Sequence, residues 1–453
     1  MQIHYSRTLE ATLRPDVLVC GGGVAGIGAA VAAARAGAKT MVVERMGFAG
    51  GFFTAVIGSS FDGLIDPYSG RPVVGGIVFE MLERLGVLQG RNPLSISFTY
   101  NGEISSLAEH PDWVVPRTEP ERFKKAADDI LTDGGVDVLF HTQVTDVVMR
   151  GQRIEAVLVS NKAGLVAIAP KVVVDCTGDA DVAAWAGAPF EAHTEPQPMG
   201  LHFRLIDVHA PADMALRAKC TALFERAQRE GRLSNFGGPY PARFMAHDLY
   251  FNATRIPGDP TSPEDWTHAE IQGRRDAWAM YDLLHAELPE FRDSYFMASG
   301  PTAGARESRR ILGEAILTAE DVREGRRQSD AVVVAAGKID RHGNAPSTPH
   351  EEHVVPPYDI GYRTLLPRNV ENLLVAGRCH SATSEALASS RLTAPAMGMG
   401  QAAGVAAALA ALGDTDPHGL NVPFLQKALV AQGALLGVGD GEWRMKRSSP
   451  GRP

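Results

Sequence analysis

Gly21, Gly23 and Gly26 stand in a GxGxxG spacing, directly after the short apolar run DVLVC at 16–20 and directly before an alanine-rich stretch. A strand, a glycine turn and a helix in that order would hold a dinucleotide. The first glycine makes the turn, the second lets the backbone approach a pyrophosphate, and the third lets helix pack on strand. The phosphates would then face the positive end of the helix dipole. Glu44 comes eighteen residues after Gly26 and closes the next apolar run, where a carboxylate accepts hydrogen bonds from ribose hydroxyls. Such a glutamate serves NAD and FAD alike.

Other residue groups could act on a substrate. Arg306-Glu307-x-Arg309-Arg310 is a dense charged cluster between a glycine-rich turn and the apolar ILGEAIL. Its arginines, Arg309 above all, could clamp a carboxylate bidentately, or they could only brace a turn through salt bridges. Asp340-x-His342 and His380 are candidates for proton transfer, which a hydride shift needs beside it, or are structural histidines. Arg309, His342 and His380 are therefore the candidate catalytic residues. Cys379 has no basic helper or partner cysteine and reads as inert.

These groups need elements to hold them. Strands are expected at 16–20 and 39–43 with a helix between, completing a βαβ unit in about 30 residues. A helix follows at 77–85 inside a Gly-, Pro- and Ser-rich excursion. Regular alternation resumes with a helix from Pro120, a strand at 136–140, a hairpin of 144–149 with 153–160 around Gly151-Gln152, and a strand at 171–175. Beyond Pro189 aromatic, arginine and proline content rises, with helices at 213–230 and 267–286. A strand at 372–376 and an Ala/Gly-rich helix from about 396 return to nucleotide-fold character.

The 453 residues are 45% hydrophobic and 21% charged, with a net charge of -9. That is ordinary globular composition, long enough for two or three cores, and it lacks the basic stripe of a nucleic-acid binder. The four cysteines, at 20, 176, 220 and 379, form no CxxC, no zinc spacing and no iron–sulfur cluster, so no metal is expected and the cytoplasm is the expected compartment. The longest apolar run, 398–412, is too short to predict a membrane span. The expected partner is a small-molecule substrate, with a homodimer as the assembly this reading allows.

Three further segments bear a family resemblance. GGFFT at 50–54, VVVDCTGDADVAAWAGAP at 172–189 and ENLLVAGRCHSATSEALASSRLTAPAMGMGQAAGVAAALA at 371–410 resemble the FAD-dependent oxidoreductase family. Its relatives include the flavin subunits of heterodisulfide reductases and, more distantly, fumarate reductase and succinate dehydrogenase flavoproteins. GARESRRILGEAILTAEDV at 304–322 and YDIGYRTLLP at 358–367 carry the resemblance over nearly the whole chain after residue 15. It implies an α/β fold: a Rossmann-type FAD-binding domain with an inserted α+β substrate domain. The FAD-binding parts would be 14–62, 117–190 and 366–436, with an inserted excursion at 63–116, a substrate domain at 191–365 and a flexible tail at 437–453.

The resemblance implies FAD contacts from Gly21, Gly23, Val24, Ala25, Gly26, Glu44, Arg45, Gly50, Gly51, Thr54, Val144, Thr177, Gly178, Gly377, Arg378, Gly400 and Gln401. Many flavoproteins carry Gly-Asp where this chain has Gly377-Arg378, which leaves Arg378 to meet phosphate instead. The activity implied is hydride exchange between non-covalent FAD and a small organic substrate, as in a dehydrogenase, oxidase or ene-reductase. The alternatives are a flavin monooxygenase or a non-catalytic FAD-binding electron-transfer subunit.

Overall fold

The structure is a computed structural model. It describes residues 1–437 except 2, 5, 69–70, 87–94, 97–114, 193, 245–246 and 345–349. The tail expected after 437 and most of the 63–116 excursion lie outside the described residues, although the helix expected there is present as Ile77–Arg84.

Five short parallel strands form the central sheet, in the order Leu373–Val375, Val172–Asp175, Val17–Cys20, Thr40–Val43, Asp137–Leu139. Four of the five are buried along their whole length and apolar but for Thr40 and Asp175 at strand ends, as a parallel sheet covered on both faces requires. Alternate side chains feed two separate cores. Val17, Val19, Val42, Val172 and Val174 face the helical side. Leu18, Cys20, Met41, Val43 and Val173 face the other, which is covered by the antiparallel strands Gln143–Arg150, Arg153–Asn161 and Gly164–Ile168.

On the helical side Val24–Arg35 lies against Thr393–Leu412 with backbone nearly touching backbone. A Cβ on Gly400 would stand 1.9 Å from Ala25 O, one on Gly404 2.1 Å from Ala29 O, and one on Gly28 2.4 Å from Met397 O. Only glycine permits that approach. The second helix begins three residues earlier than its expected start near 396, because Pro395 falls in the first turn, where its missing N–H has no bond to lose. It is long and apolar enough to cross a bilayer, but its burial in the core accounts for that composition.

A four-stranded antiparallel sheet, in the order Phe236–Ala242, Asp248–Thr254, Phe203–Ile206, Tyr295–Ser299, carries the helices Met214–Arg229 and Pro263–Glu287 around a third core. The long hairpin Ala331–Arg341 with Glu351–Gly361 falls within the stretch read as substrate domain. Its Val332, Val333, Ala335, Val355 and Tyr358 nonetheless pack into the same core as the two glycine-rich helices. Its far end, at Asp340 and Arg341, thus reaches from the nucleotide layer to the antiparallel sheet.

Candidate active site

The glycine loop shows why each glycine is needed. Gly21 has a left-handed φ of 101°, and a Cβ there would lie 2.5 Å from Cys176 O. One on Gly26 would lie 1.8 Å from Gly21 O. Gly23 differs: a Cβ there meets nothing within 4 Å among the described residues. The Glu44 carboxylate accepts from Gly22 N at 2.7 Å and from Met46 N at 2.8 Å, which fixes the loop beneath it. Gly50 N donates to Gly22 O at 2.8 Å, closing the GGFFT loop, with Gly50 and Gly51 both left-handed, over the first. Thr54 is wholly buried and donates to Ala49 O, holding that loop from within.

Two helix ends lack a side-chain cap. Among the described helices of ten residues or more, Pro120–Asp133, Met214–Arg229, Pro263–Glu287 and Val422–Ala431 each have a side-chain cap. Val24–Arg35 and Thr393–Leu412 have neither a side-chain cap nor an acidic residue in the first turn. Bare N–H groups suit a pyrophosphate at the first; at the second, Ala394 N donates to Asp62 O at 3.0 Å and Pro395 has no N–H, so what is left there for an electron-rich ring is the uncompensated dipole. FAD offers both. The backbone at Gly23, Val24 and Ala25, the Glu44 carboxylate and the Gly50–Gly51 turn are the groups that would hold it, with the helix start near Thr393 beside its ring.

Several residues expected at the cofactor have other employment. Gly400 is a packing glycine against Ala25. Gln401 accepts from Ile77 N at 3.1 Å and donates to Gln432 O at 3.1 Å, and so caps a neighbouring helix from the third turn of its own. Val144 pairs with Val159 and packs on the core beneath the antiparallel strands. Thr177 bonds the buried Asp175 and accepts from Asp181 N, which shapes the turn that presses on Gly21. Arg378 pairs with Asp179 at 2.9 Å, over left-handed Gly178, because that carboxylate stands nearer to it than any backbone amide array. Arg45 stacks over Trp266.

The candidate catalytic residues do not come together. Arg309 donates to Asp179 O at 2.7 Å and pairs with Asp181, so its fork is filled by the turn after the Val172–Asp175 strand. It braces that turn and does not join the histidines. Burial, followed by Asp179 and Asp175, pushes the Asp181 carboxyl up to about 6. His380 is fully buried, bonded to Gly377 O at 2.8 Å and to Ser390 Oγ at 3.1 Å. Burial pulls it down to about 4, so it ties its own loop to the end of the Ser384–Ser390 helix as a neutral ring. Burial likewise pushes the Cys379 thiol well up, in keeping with an inert cysteine.

His342 alone of the three sits in a polar junction where the hairpin, the antiparallel sheet and the start of the Thr393–Leu412 helix meet. Asp340 is its centre. His350 Nε2 lies 2.7 Å from Asp340 Oδ1, His342 Nε2 3.2 Å from Oδ2, and Arg391 donates to Oδ2 at 3.3 Å. The imidazoles stack with centroids 4.6 Å apart. Tyr240 Oη bonds His350 Nδ1 at 2.7 Å, and Arg255 donates to His342 Nδ1 at 3.3 Å. An acceptor Nδ1 assigns the Nε2–H tautomer to His342, a neutral ring. Burial and the positive charges of Arg306 and Arg255 agree, holding it well below its usual value against the pull of Asp340. Burial alone would raise Asp340. His342, Lys338 and the two imidazole hydrogen bonds overcome that and hold it well below the ordinary carboxylate range. His202 bonds Tyr250 Oη at 2.7 Å and meets Phe52 of the GGFFT loop edge to face, which sets the junction beside the flavin loop.

Arg255, Arg391, His202, Tyr240, Tyr250 and His350 escape a reading of the sequence. Arg391 had a signal, since it stands directly ahead of the closing helix. His350 is brought to Asp340 by the register of a hairpin, in which Asp340 pairs with Glu352, and no local pattern announces that.

The chain belongs to the FAD dependent oxidoreductase family, whose model matches residues 16–429. It is thus an FAD-dependent oxidoreductase, with FAD as its cofactor. No curated protein matches the sequence. Among solved structures the chain is similar to a flavin-dependent brominase, with 14% identity over 92% of this chain and 84% of that one and a TM-score of 0.46. It is also similar to a geranylgeranyl bacteriochlorophyll reductase-like protein from Thermoplasma acidophilum (13%, 92% and 83%, TM-score 0.46). A third is p-nitrophenol 4-monooxygenase from Pseudomonas putida (13%, 93% and 85%, TM-score 0.47). Likeness at this level carries no inference about the reaction.

Proposed function

We propose that this flavoenzyme exchanges a hydride with a small organic substrate held at the Asp340 junction. The observation that supports it is a buried carboxylate joined to two imidazoles and an arginine, one residue ahead of the uncapped end of the Thr393–Leu412 helix. Bound FAD supplies the two-electron chemistry. The chain's own residues handle the proton. His342 presents an Nε2–H that Asp340 holds in place, and Tyr240, His350 and Asp340 form a bonded line along which a proton taken from a substrate O–H or N–H can pass. Lys338 and the imidazole hydrogen bonds keep Asp340 ionised, Arg391 holds its Oδ2 in place, and burial keeps bulk water from competing.

The test is anaerobic rapid mixing of the FAD-loaded protein with small acids, alcohols and amines, followed by flavin absorbance. A substrate that bleaches the flavin without any other reductant supports the reading. His342→Asn should then slow bleaching by about 10²–10⁴-fold with the FAD still bound. A monooxygenase or an electron-transfer subunit would be bleached only by an external reductant, and that result overturns the reading.

A further inference from the structure

Arg255 and Arg306 are 3% and 7% exposed, and no carboxylate among the described residues comes within ion-pair distance of either. The nearby acids are committed elsewhere: Glu352 to Lys338 at 2.5 Å, Glu307 to Arg310 at 2.6 Å, Asp340 to Arg391 and the two histidines, while Asp62 acts on Arg117. What Arg255 and Arg306 have instead is neutral. Arg255 donates to Asn252 Oδ1 at 3.0 Å, to Thr254 O at 2.7 Å and to His342. Arg306 donates to Pro198 O at 2.6 Å and to the same Asn252 Oδ1 at 3.0 Å.

Two buried guanidinium groups therefore converge on a single uncharged amide oxygen. Burial, and then Arg255 and Arg391, pull Arg306 well down, and Arg255 falls to about 10 with burial as the main cause. Buried like charges persist when a counter-ion or a metal pairs them, and cations call for an anion. Two more donors in the junction have no partner among the described residues: Nε2 of Gln197, a residue 3% exposed, and Nε of Arg391. Gln197 belongs to the same site, since its Oε1 accepts from His342 N at 3.0 Å. Asp340, His342 and His350 have the composition of a metal triad, but Lys338, Arg255, Arg306 and Arg391 surround them, and a divalent cation would meet that field as repulsion.

We infer that the substrate is a small carboxylic acid, and that its carboxylate is the counter-ion which the Arg255–Arg306 pair lacks. Two guanidinium forks match the two oxygens of one carboxylate, and an acid so held has its reacting carbon on the side of His342, to which Arg255 is already bonded. This rests on the reading of the junction as the substrate site, and the experiment keeps the two apart.

The FAD-loaded protein is titrated at fixed ionic strength with acetate, lactate, succinate and phenylacetate, with their primary amides, and with chloride and sulfate. Binding is read by calorimetry and by thermal shift, which need no turnover. At least one acid should bind ten or more times as tightly as its amide, the ratio for one charged hydrogen bond, and raise Tm by about 3 °C at a hundred times its Kd. Asn252→Asp puts a carboxylate between the two arginines. It should raise the Tm of the ligand-free holoprotein, leave the FAD spectrum in place and abolish the acid-induced shift. Arg306→Gln should remove acid binding without restoring that stability. Equal response to acids and amides, or to acids and chloride, overturns the inference, as does an Asn252→Asp holoprotein that binds acids like the wild type. Acids that bind and never bleach the flavin leave the inference standing and remove the hydride reading.

Discussion

Gly23→Ala separates what the fold requires from what the cofactor requires. The residue has φ -67° and caps the glycine-loop helix, and the added methyl meets nothing within 4 Å. Restricting the unfolded chain gains about 0.4–1 kcal/mol, and alanine is a poorer helix cap than glycine by a similar amount. The two effects nearly cancel, so the FAD-free protein should melt within about 3 °C of wild type. The methyl stands in front of the bare amides at the helix start, where it displaces phosphate from at least one charge-assisted hydrogen bond of about 1.5–3 kcal/mol. FAD affinity should fall by about tenfold to more than a hundredfold, and with valine further. The control is Gly26→Ala, whose Cβ would stand 1.8 Å from Gly21 O and which should lower Tm in the FAD-free protein as well. Removing the flavin, measuring Tm, and titrating FAD back by fluorescence gives both quantities. A Gly23→Ala protein that takes up FAD with wild-type Kd would refute the assignment of this loop to the pyrophosphate.

Arg309→Ala should leave the Asp181 carboxylate without its cation while Asp179 keeps Arg378, lowering Tm at pH 7 while flavin bleaching stays near wild type; wild-type Tm with slow bleaching would restore the substrate-clamp reading. Asp181 gives the same turn a pH dependence. A carboxyl at about 6, above its unfolded value, binds its proton more tightly in the folded chain, so its contribution is greatest below about pH 4 and is lost as pH rises through 6. Asp181→Asn should flatten Tm over that window, and an unchanged slope would show that the carboxyl is not raised. His380 at about 4 should contribute no limb to a pH–rate profile between pH 5 and 8. His380→Ala should cost about 1–3 kcal/mol in denaturant unfolding through its lost bonds to Gly377 and Ser390, and a shifted profile limb would return it to the proton path.

The nucleotide half of the protein was legible in the residues because its physics is local. A GxGxxG between an apolar strand and a helix, with an acid at the end of the next strand, constrains backbone within about 30 residues. The strands around 17–20, 40–43 and 172–175 stand where apolar runs put them. Within the loop the sequence could not say which glycine answers to the protein and which to the ligand. Gly21 and Gly26 are enforced by Cys176 O and by Gly21 O, while a Cβ on Gly23 would meet nothing among the described residues. The substrate side was beyond local reading. Arg309 and His380 have the right chemistry for a site, but whether a side chain is free depends on what arrives beside it, and Asp181 and Ser390 arrive first. The junction gathers Asn252, Arg255, Arg306, His342, His350 and Arg391 from four separated stretches, through the register of one hairpin and the closing of an antiparallel sheet on the nucleotide layer. Side-chain types are written in the sequence, but the pairing or isolation of two buried charges is a property of distance, and only the tertiary structure decides it.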